Sequence, residues 1–131
     1  MVGATAALSP TPGMLGYGMA KASVHHFVHT IGAMSGKAMG TKSQRKLARN
    51  LRRESEYLDD VSVVGILPTT IDTPLNREAM PKGNFDEWTK PDEIAQEVGR
   101  WIERPPLRPH SGSLINVLPN GGEGAVFRLA R

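Results

Sequence analysis

The stretch TPGMLGYGMAKASVHHF, residues 11 to 27, passes from a turn into a helix and carries two chemically interesting side chains. Its first residues are rich in proline and glycine, which favour a loop. From Tyr17 onward, apolar residues recur at steps of three and four, which predicts a helix that ends near Gly32 and Gly36. Tyr17 and Lys21 would then lie one turn apart on one helix face. The predicted apolar stripe is Ala20, Val24, Phe27, Val28, Ile31 and Met34.

Tyr17 and Lys21 form a candidate acid–base pair. A lysine ammonium beside a phenol favours the phenolate form, and the positive end of the helix dipole acts in the same direction. Such a tyrosine can exchange protons in general acid–base catalysis, while the lysine keeps donors for a second partner such as a sugar hydroxyl. A tyrosine packed beside a surface lysine has the same spacing, so the rest of the chain must decide between the two interpretations.

The order of the remaining elements predicts an α/β fold with a parallel sheet. VSVVGIL (residues 61 to 67) is short, β-branched and apolar, which is typical of a strand covered on both faces. Residues 68 to 85 form a predicted irregular loop, and SLINVL (residues 113 to 118) is the predicted last strand. Residues 1 to 8 have the composition of a strand end that runs into a loop.

A second helix is predicted where Pro91, Asp92 and Glu93 supply a proline and two acids to a first turn. After the last strand, the glycine-rich residues 121 to 124 are predicted to be a flexible tail. The predicted apolar stripe of the second helix is Ile94, Val98, Trp101 and Ile102.

Composition restricts the classes of protein that remain. A chain of 131 residues allows one modest domain, and the lack of cysteine excludes disulfides and thiolate metal sites. No apolar run approaches the roughly 18 residues of a membrane span. The first residues, MVGATAAL, lack the charged flank of a signal peptide, so a cytoplasmic location is expected.

Two clusters of basic side chains have alternative interpretations. The segment 37 to 53 carries seven lysines and arginines and no acid, within a polar helical insertion predicted at about residues 36 to 60. A solvated helix is the favoured interpretation over a subunit contact or an anion site, and nucleic acid is disfavoured because no aromatic residues are interleaved. His25 and His29 have the spacing of zinc ligands, but without a third ligand nearby they predict a solvated or interface face and no metal.

Four stretches of the chain resemble the short-chain dehydrogenase/reductase superfamily, and within it most closely the dihydropteridine reductase family. They occur in that family's order and at about its spacing, and they cover most of the chain outside residues 36 to 60. The resemblance implies that residues 1–131 are the C-terminal portion of one Rossmann-like, doubly wound parallel-sheet domain, without its N-terminal dinucleotide-binding half. The stretches are TPGMLGYGMAK, LPTTIDTPLNREAMP, FDEWT and SGSLINV.

The resemblance also implies roles for individual residues. Tyr17 would donate a proton, and Lys21 would assist it and bind the nicotinamide ribose. The reaction would be hydride transfer from NADH, or NADPH, to quinonoid dihydropteridine, in a homodimer formed through the Tyr17 helix. The implied cofactor ligands further along the chain are Pro68, Thr69, Thr70, Asp72 and Thr73, and the implied substrate or lid residues are Asn76, Met80 and Trp88.

One departure from the superfamily pattern concerns a serine that most members carry before the tyrosine. Ala4 stands at that position, and the neighbouring Thr5 is an imperfect substitute. Dihydropteridine reductases resemble this chain in lacking the serine. Two other hypotheses stay open: a catalytically silent fragment that acts by subunit association or anion binding, and another pterin or carbonyl reductase that uses NADPH.

Overall fold

The computed structural model describes residues 1–35, 61–121 and 123–130. The predicted α/β class is confirmed, whereas the predicted basic helical insertion lies outside the described residues. Short 3₁₀ turns occur at Thr5–Leu8, Phe85–Glu87 and Pro105–Leu107. The helices and strands are α1 (Leu15–Met34), β1 (Val64–Pro68), α2 (Pro74–Ala79), α3 (Pro91–Glu103), β2 (Ser113–Pro119) and β3 (Ala125–Leu129).

The three strands form one sheet in the order β1-β2-β3. Strands β1 and β2 are parallel, as the alternation of helix and strand predicts. On the other side of β1, Val2 forms a parallel bridge to Ile66. The Ile66 N–H donates to the Met1 carbonyl and the Gly3 N–H to the Ile66 carbonyl, both at 2.9 Å, so the first residues are a strand end, as predicted.

The prediction of a flexible C-terminal tail is wrong, because the chain reverses after β2 and forms a third strand. Strand β3 pairs antiparallel with β2, from Ile115 opposite Leu129 to Pro119 opposite Ala125, which makes the sheet mixed. Gly121 and Gly124 have φ angles of 56° and 97°, a backbone region that glycine enters without steric cost. The glycines therefore form the turn of a hairpin.

Helices cover both faces of the sheet and divide the core into two clusters. Trp101 of α3 packs on Ile66, Ile115 and Val117 on one face. Val28 of α1 packs on Leu67 and Leu114 on the other face. Residues 66 and 67 point to opposite faces because side chains alternate along a strand. Ile102, predicted to belong to the α3 stripe, is instead 70% exposed, because Trp101 occupies the position that faces the sheet.

The buried face of α1 differs from the predicted apolar stripe. Its buried residues are Gly18, His25, Val28 and Gly32, whereas Phe27 is 49% exposed. Gly32 does not end the helix, which continues to Met34. The helix instead meets the loop before β2 so closely that small residues form the contact, and this is why apolar periodicity failed to identify the buried face.

Candidate active site at the end of β1

Helix α1 begins at Leu15, two residues before Tyr17, so Tyr17 lies within its first turn. The Pro/Gly-rich loop packs directly onto this turn. A Cβ atom added to Gly18 would overlap the Thr11 side chain, with its Oγ1 only 1.9 Å away. The Met14 N–H donates to the Thr11 carbonyl at 3.1 Å. The loop therefore fixes the direction in which α1 starts and, with it, the position of Tyr17.

Tyr17 and Lys21 lie together on α1, as their spacing predicts. The Lys21 Nζ atom is 5.8 Å from the centroid of the Tyr17 ring, within reach of a cation–π interaction. The same ammonium donates to the Val2 carbonyl at 3.3 Å. Tyr17 is 47% exposed. Lys21 thus connects the tyrosine to the edge of the sheet, and an ammonium has two further N–H donors.

The carboxyl ends of two neighbouring chain segments meet at one edge of the sheet. Residues 1 to 3 run parallel to β1, so Ala4 and Thr5 leave the sheet on the same side as Thr69. Pro68 is buried, Thr69 is exposed and Thr70 is half-buried. In open α/β sheets, ligands bind in the crevice outside the carboxyl ends of the strands. Ala4, Thr5 and residues 68 to 70 therefore lie where this rule predicts such a crevice.

Neither Ala4 nor Thr5 presents a free hydroxyl proton at the position where the sequence analysis looked for a serine. Ala4 is buried and has no polar side-chain atom. The Thr5 hydroxyl donates to the Leu67 carbonyl at 2.7 Å, and its Oγ1 lies 3.4 Å from the Asn116 Oδ1 atom. A hydroxyl has one proton to donate. The Thr5 proton therefore ties the N-terminal segment to the end of β1.

His25 lies in the interior beneath this edge, so the predicted solvated or interface face is wrong for this residue. It is 7% exposed, and its Nε2 atom accepts a hydrogen bond from the Ala4 N–H at 3.3 Å. Burial, followed by the nearby His29 and Lys21, lowers the pKa of His25. The neutral ring therefore carries its proton on Nδ1. His25 lies three residues before Val28, so the two side chains share one face of α1. That spacing is the signal in the sequence that could have identified His25 as buried.

His29 is exposed and donates from Nδ1 to the Gly112 carbonyl at 3.0 Å. Within the described ranges 1–35, 61–121 and 123–130, no group of three histidines, aspartates or glutamates could hold a metal ion. None of the helices described there is long and apolar enough to cross a membrane.

The residues after β1 form a closed segment rather than the irregular loop predicted for residues 68 to 85. Ile71 and Thr89 form a parallel bridge. The Thr89 N–H donates to the Thr70 carbonyl at 2.9 Å and the Asp72 N–H to the Thr89 carbonyl at 2.8 Å. We call residues 71–89 the cover segment. Its two ends are joined directly beside Thr70, at the crevice.

Helix α2 within the cover segment follows from local sequence rules that apolar periodicity cannot detect. Thr73 is its N-cap, and the Thr73 Oγ1 atom accepts from the Asn76 N–H at 3.3 Å. Pro74 occupies the first helical position, where a missing N–H has no cost. The Asn76 Nδ2 atom donates to the Ile71 carbonyl at 2.8 Å. Asn76 therefore fixes the start of the cover segment.

Asp72 has a partner within the chain, Arg77. The Arg77 Nε and Nη2 atoms donate to the two carboxylate oxygens of Asp72 at 2.5 and 2.8 Å. These hydrogen bonds lower the pKa of Asp72 despite partial burial, and the charges of Arg77 and Lys90 act in the same direction. The Arg77 guanidinium also lies 4.3 Å from the centroid of the Phe85 ring. Sequence reasoning overlooked Arg77.

Two aromatic residues, Phe85 and Trp88, lie near the end of the cover segment. The Phe85 and Trp88 rings meet edge to face with centroids 4.8 Å apart. Trp88 is half-buried and packs on Gly83, where an added Cβ would lie 2.5 Å from its Cζ2 atom. Met80 is 42% exposed. The sequence-predicted residues therefore fall into two groups, Tyr17 with Lys21 on α1 and the residues of the cover segment, with Pro68 to Thr70 between them along the chain.

The fold and the site together define a class of protein: an α/β protein with a tyrosine–lysine pair beside the carboxyl end of its sheet. No family model matches the chain. The chain is 34% identical over 115 residues to dihydropteridine reductase of Dictyostelium discoideum. The match covers 88% of this chain and 42% of that protein, so the chain spans less than half of its relative's length. The resemblance to dihydropteridine reductases seen in the sequence motifs is thereby confirmed.

Proposed function

We propose that this chain supplies the proton donor of a pterin reductase, which reduces quinonoid dihydropteridine to tetrahydropteridine with NADH. The single observation that carries the proposal is the 34% identity to a dihydropteridine reductase over 88% of the chain. The exposed Tyr17 beside the Lys21 ammonium supports it, because a proton donor must reach its substrate.

Individual residues have separate roles in this proposal. The Tyr17 hydroxyl gives its proton to the reduced pterin ring, and Lys21 orients the phenol through the ring contact and binds a ribose hydroxyl. Pro68, Thr69 and Thr70 border the nicotinamide, which supplies a hydride when it is bound. The cover segment, with Thr73, Asn76, Met80 and Trp88, lies over the cofactor and the pterin. Asp72 acts indirectly, since both oxygens of its carboxylate accept hydrogen bonds from Arg77.

The described residues fit one end of a nicotinamide cofactor. The remaining Lys21 N–H donors suit a ribose diol, and the exposed Thr69 and half-buried Thr70 offer hydroxyls to a carboxamide. The diphosphate does not fit the glycine-rich turn after β2, because that turn joins two antiparallel strands. Diphosphates bind where a glycine-rich turn leads from a strand into a helix.

The test is oxidation of NADH, and separately of NADPH, driven by quinonoid dihydropteridine on this chain. Tyr17→Phe should lower kcat about a hundredfold or more, the usual contribution of a general acid. Lys21→Met should also lower turnover, whereas Arg104→Met, at an exposed cation just after the last residue of α3, should not. Unchanged turnover in Tyr17→Phe would contradict the role of Tyr17. No turnover of the unmodified chain with either cofactor would contradict the proposal, and faster turnover with NADPH would favour a different pterin or carbonyl reductase.

A second proposed function is self-association through α1. Leu15 and Met19 are 72% and 65% exposed, and Phe27 is also exposed, so α1 turns an apolar side away from the sheet. We propose that a second copy of the chain covers these residues in a homodimer. Sedimentation should show a dimer that Phe27→Glu and Met19→Glu dissociate. A monomer at all concentrations would refute it.

A further inference from the structure

The cover segment needs a side-chain contact to hold its shape. Its helix, Pro74–Ala79, is far shorter than the roughly 12 residues at which an isolated helix becomes marginally stable in water. Leu75 and Met80 are exposed, so the helix is not anchored by burying them. The backbone bonds between Thr70, Asp72 and Thr89 join only the two ends. The path between these ends depends on contacts made within the segment.

Arg77 makes contacts at two places along that path, one near each end. Its Nε and Nη2 atoms donate to Asp72 at the start of the segment, at 2.5 and 2.8 Å. Its guanidinium lies over the Phe85 ring near the end, with 4.3 Å between Cζ and the ring centroid. Phe85 in turn contacts Trp88. One side chain therefore joins the start, the helix and the end of the cover segment.

Only an arginine can make both contacts at once. Its planar guanidinium presents two parallel N–H groups to a carboxylate along its edge, while its face stacks on an aromatic ring. A lysine ammonium is a compact charge and offers a carboxylate no such two-point contact. The side chain of Arg77 is 49% exposed and that of Asp72 is 14% exposed. An ion pair so close to water adds little to global stability, so its main effect is on local shape.

We propose that Arg77 is a positioning residue that holds the cover segment in place beside the end of β1, through Asp72 and Phe85. Its consequence for substrate rests on the proposed function: loss of Arg77 weakens binding of the pterin and leaves proton transfer from Tyr17 unchanged. KM for quinonoid dihydropteridine then rises while kcat stays nearly constant. The hydrogen bonds of the segment can be measured without any turnover.

The first experiment is hydrogen exchange on the unmodified chain and on Arg77→Lys, which keeps the charge but loses the two-point contact. The Asp72 and Thr89 amides, which close the segment, should exchange about threefold to tenfold faster in the variant, because lysine keeps a charge but loses the two-point hydrogen bond and the stacked guanidinium. The Ile66 amide of β1 should not change. Arg100→Lys is the matched control, since Arg100 pairs with Glu97 at 2.8 Å on α3. It should leave the exchange of Asp72 and Thr89 unchanged.

Asp72→Asn should open the segment no more than Arg77→Lys, because it weakens the contact with Asp72 and leaves the contact with Phe85. The double variant should open it no further than Arg77→Lys, since the asparagine then has no guanidinium partner to lose. Equal exchange of Asp72 and Thr89 in Arg77→Lys and the unmodified chain would overturn the proposal.

The second experiment measures kcat and KM. Arg77→Lys should raise KM for the pterin about fivefold or more, with kcat within about twofold, and Arg100→Lys should change neither. A fall in kcat at constant KM would refute the positioning role. Unchanged kcat and KM despite faster hydrogen exchange would refute it as well. If the unmodified chain does not turn over, the proposed function fails, and the exchange result alone still decides whether Arg77 holds the segment.

Discussion

Gly32→Ala tests how α1, the helix that carries Tyr17 and Lys21, is attached to the sheet. A Cβ at residue 32 would lie 2.1 Å from the Gly112 Cα and 2.4 Å from the Gly112 nitrogen. Ordinary contact needs about 3.4 Å or more between such atoms. The obstructing atoms belong to the backbone, so no change of side-chain rotamer relieves the overlap. Helix and loop must move apart by more than 1 Å, roughly the difference between these distances.

The magnitude follows from two opposing effects. Alanine is favoured over glycine in a helix by about 1 kcal/mol. Overpacking costs about 1–3 kcal/mol, and a clash between backbones belongs at the upper end. The shift also stretches the hydrogen bond from His29 to the Gly112 carbonyl (3.0 Å) and that from the Gly112 N–H to the Val63 carbonyl (2.7 Å). We expect the free energy of unfolding to fall by about 2 kcal/mol or more.

Gly99→Ala is the matched control. Gly99 also lies in a helix, α3, but an added Cβ there has no atom within 4 Å. That variant should gain up to about 1 kcal/mol from helix propensity alone. Urea unfolding followed by far-UV circular dichroism gives both free energies on one scale. A Gly32→Ala variant as stable as Gly99→Ala would refute the close contact between α1 and the Gly112 loop.

Two further predictions concern buried polar contacts. Burial lowers the pKa of His25, so the unfolded chain binds more protons than the folded chain near neutral pH. The free energy of unfolding should therefore fall as the pH drops below about 6.5. For this one group the loss is at most about 1.4 kcal/mol per pH unit. His25→Gln, which accepts a hydrogen bond but does not titrate, should show a shallower loss between pH 7.5 and 5.5, and equal slopes in urea unfolding would contradict the assignment. Trp101→Phe removes the hydrogen bond from the Trp101 Nε1 atom to Glu97 (2.6 Å) and keeps an aromatic ring on the sheet. It should cost about 1 kcal/mol, measured by the same unfolding method, and a loss above about 3 kcal/mol would mean that packing rather than the hydrogen bond dominates.

The strands and helices that carry the site could be predicted because their signals are local. The apolar runs at residues 61 to 67 and 113 to 118 became β1 (Val64–Pro68) and β2 (Ser113–Pro119). Pro91 with Asp92 and Glu93 marked the start of α3 correctly. The adjacency of Tyr17 and Lys21 needed only the helical repeat, which brings residues four apart onto one face.

Apart from α2, whose capping signals are local, the predictions that failed concerned the environment of a residue in the folded chain. β3 was missed because Ala125–Leu129 contain a single β-branched residue, and the strand forms only by pairing with β2 after the chain reverses. His25 was expected in solvent because nothing in its neighbours along the chain shows that the Ala4 amide lies beside it. Ile102 was placed on the buried stripe of α3 because the helical repeat does not show that Trp101 takes the position that faces the sheet.

Sequence patterns were therefore enough to predict the α/β class, the parallel pairing of two strands and a tyrosine–lysine pair on one helix face. The individual elements depend on interactions within a short window, such as helical repeat, strand alternation and capping. Their alternating order along the chain then predicts the parallel pairing. The folded chain was needed to show that α1 approaches the sheet through Gly32, that His25 is buried and that Arg77 contacts both Asp72 and Phe85. Such contacts join residues far apart along the chain, and their geometry depends on how all the elements pack at once.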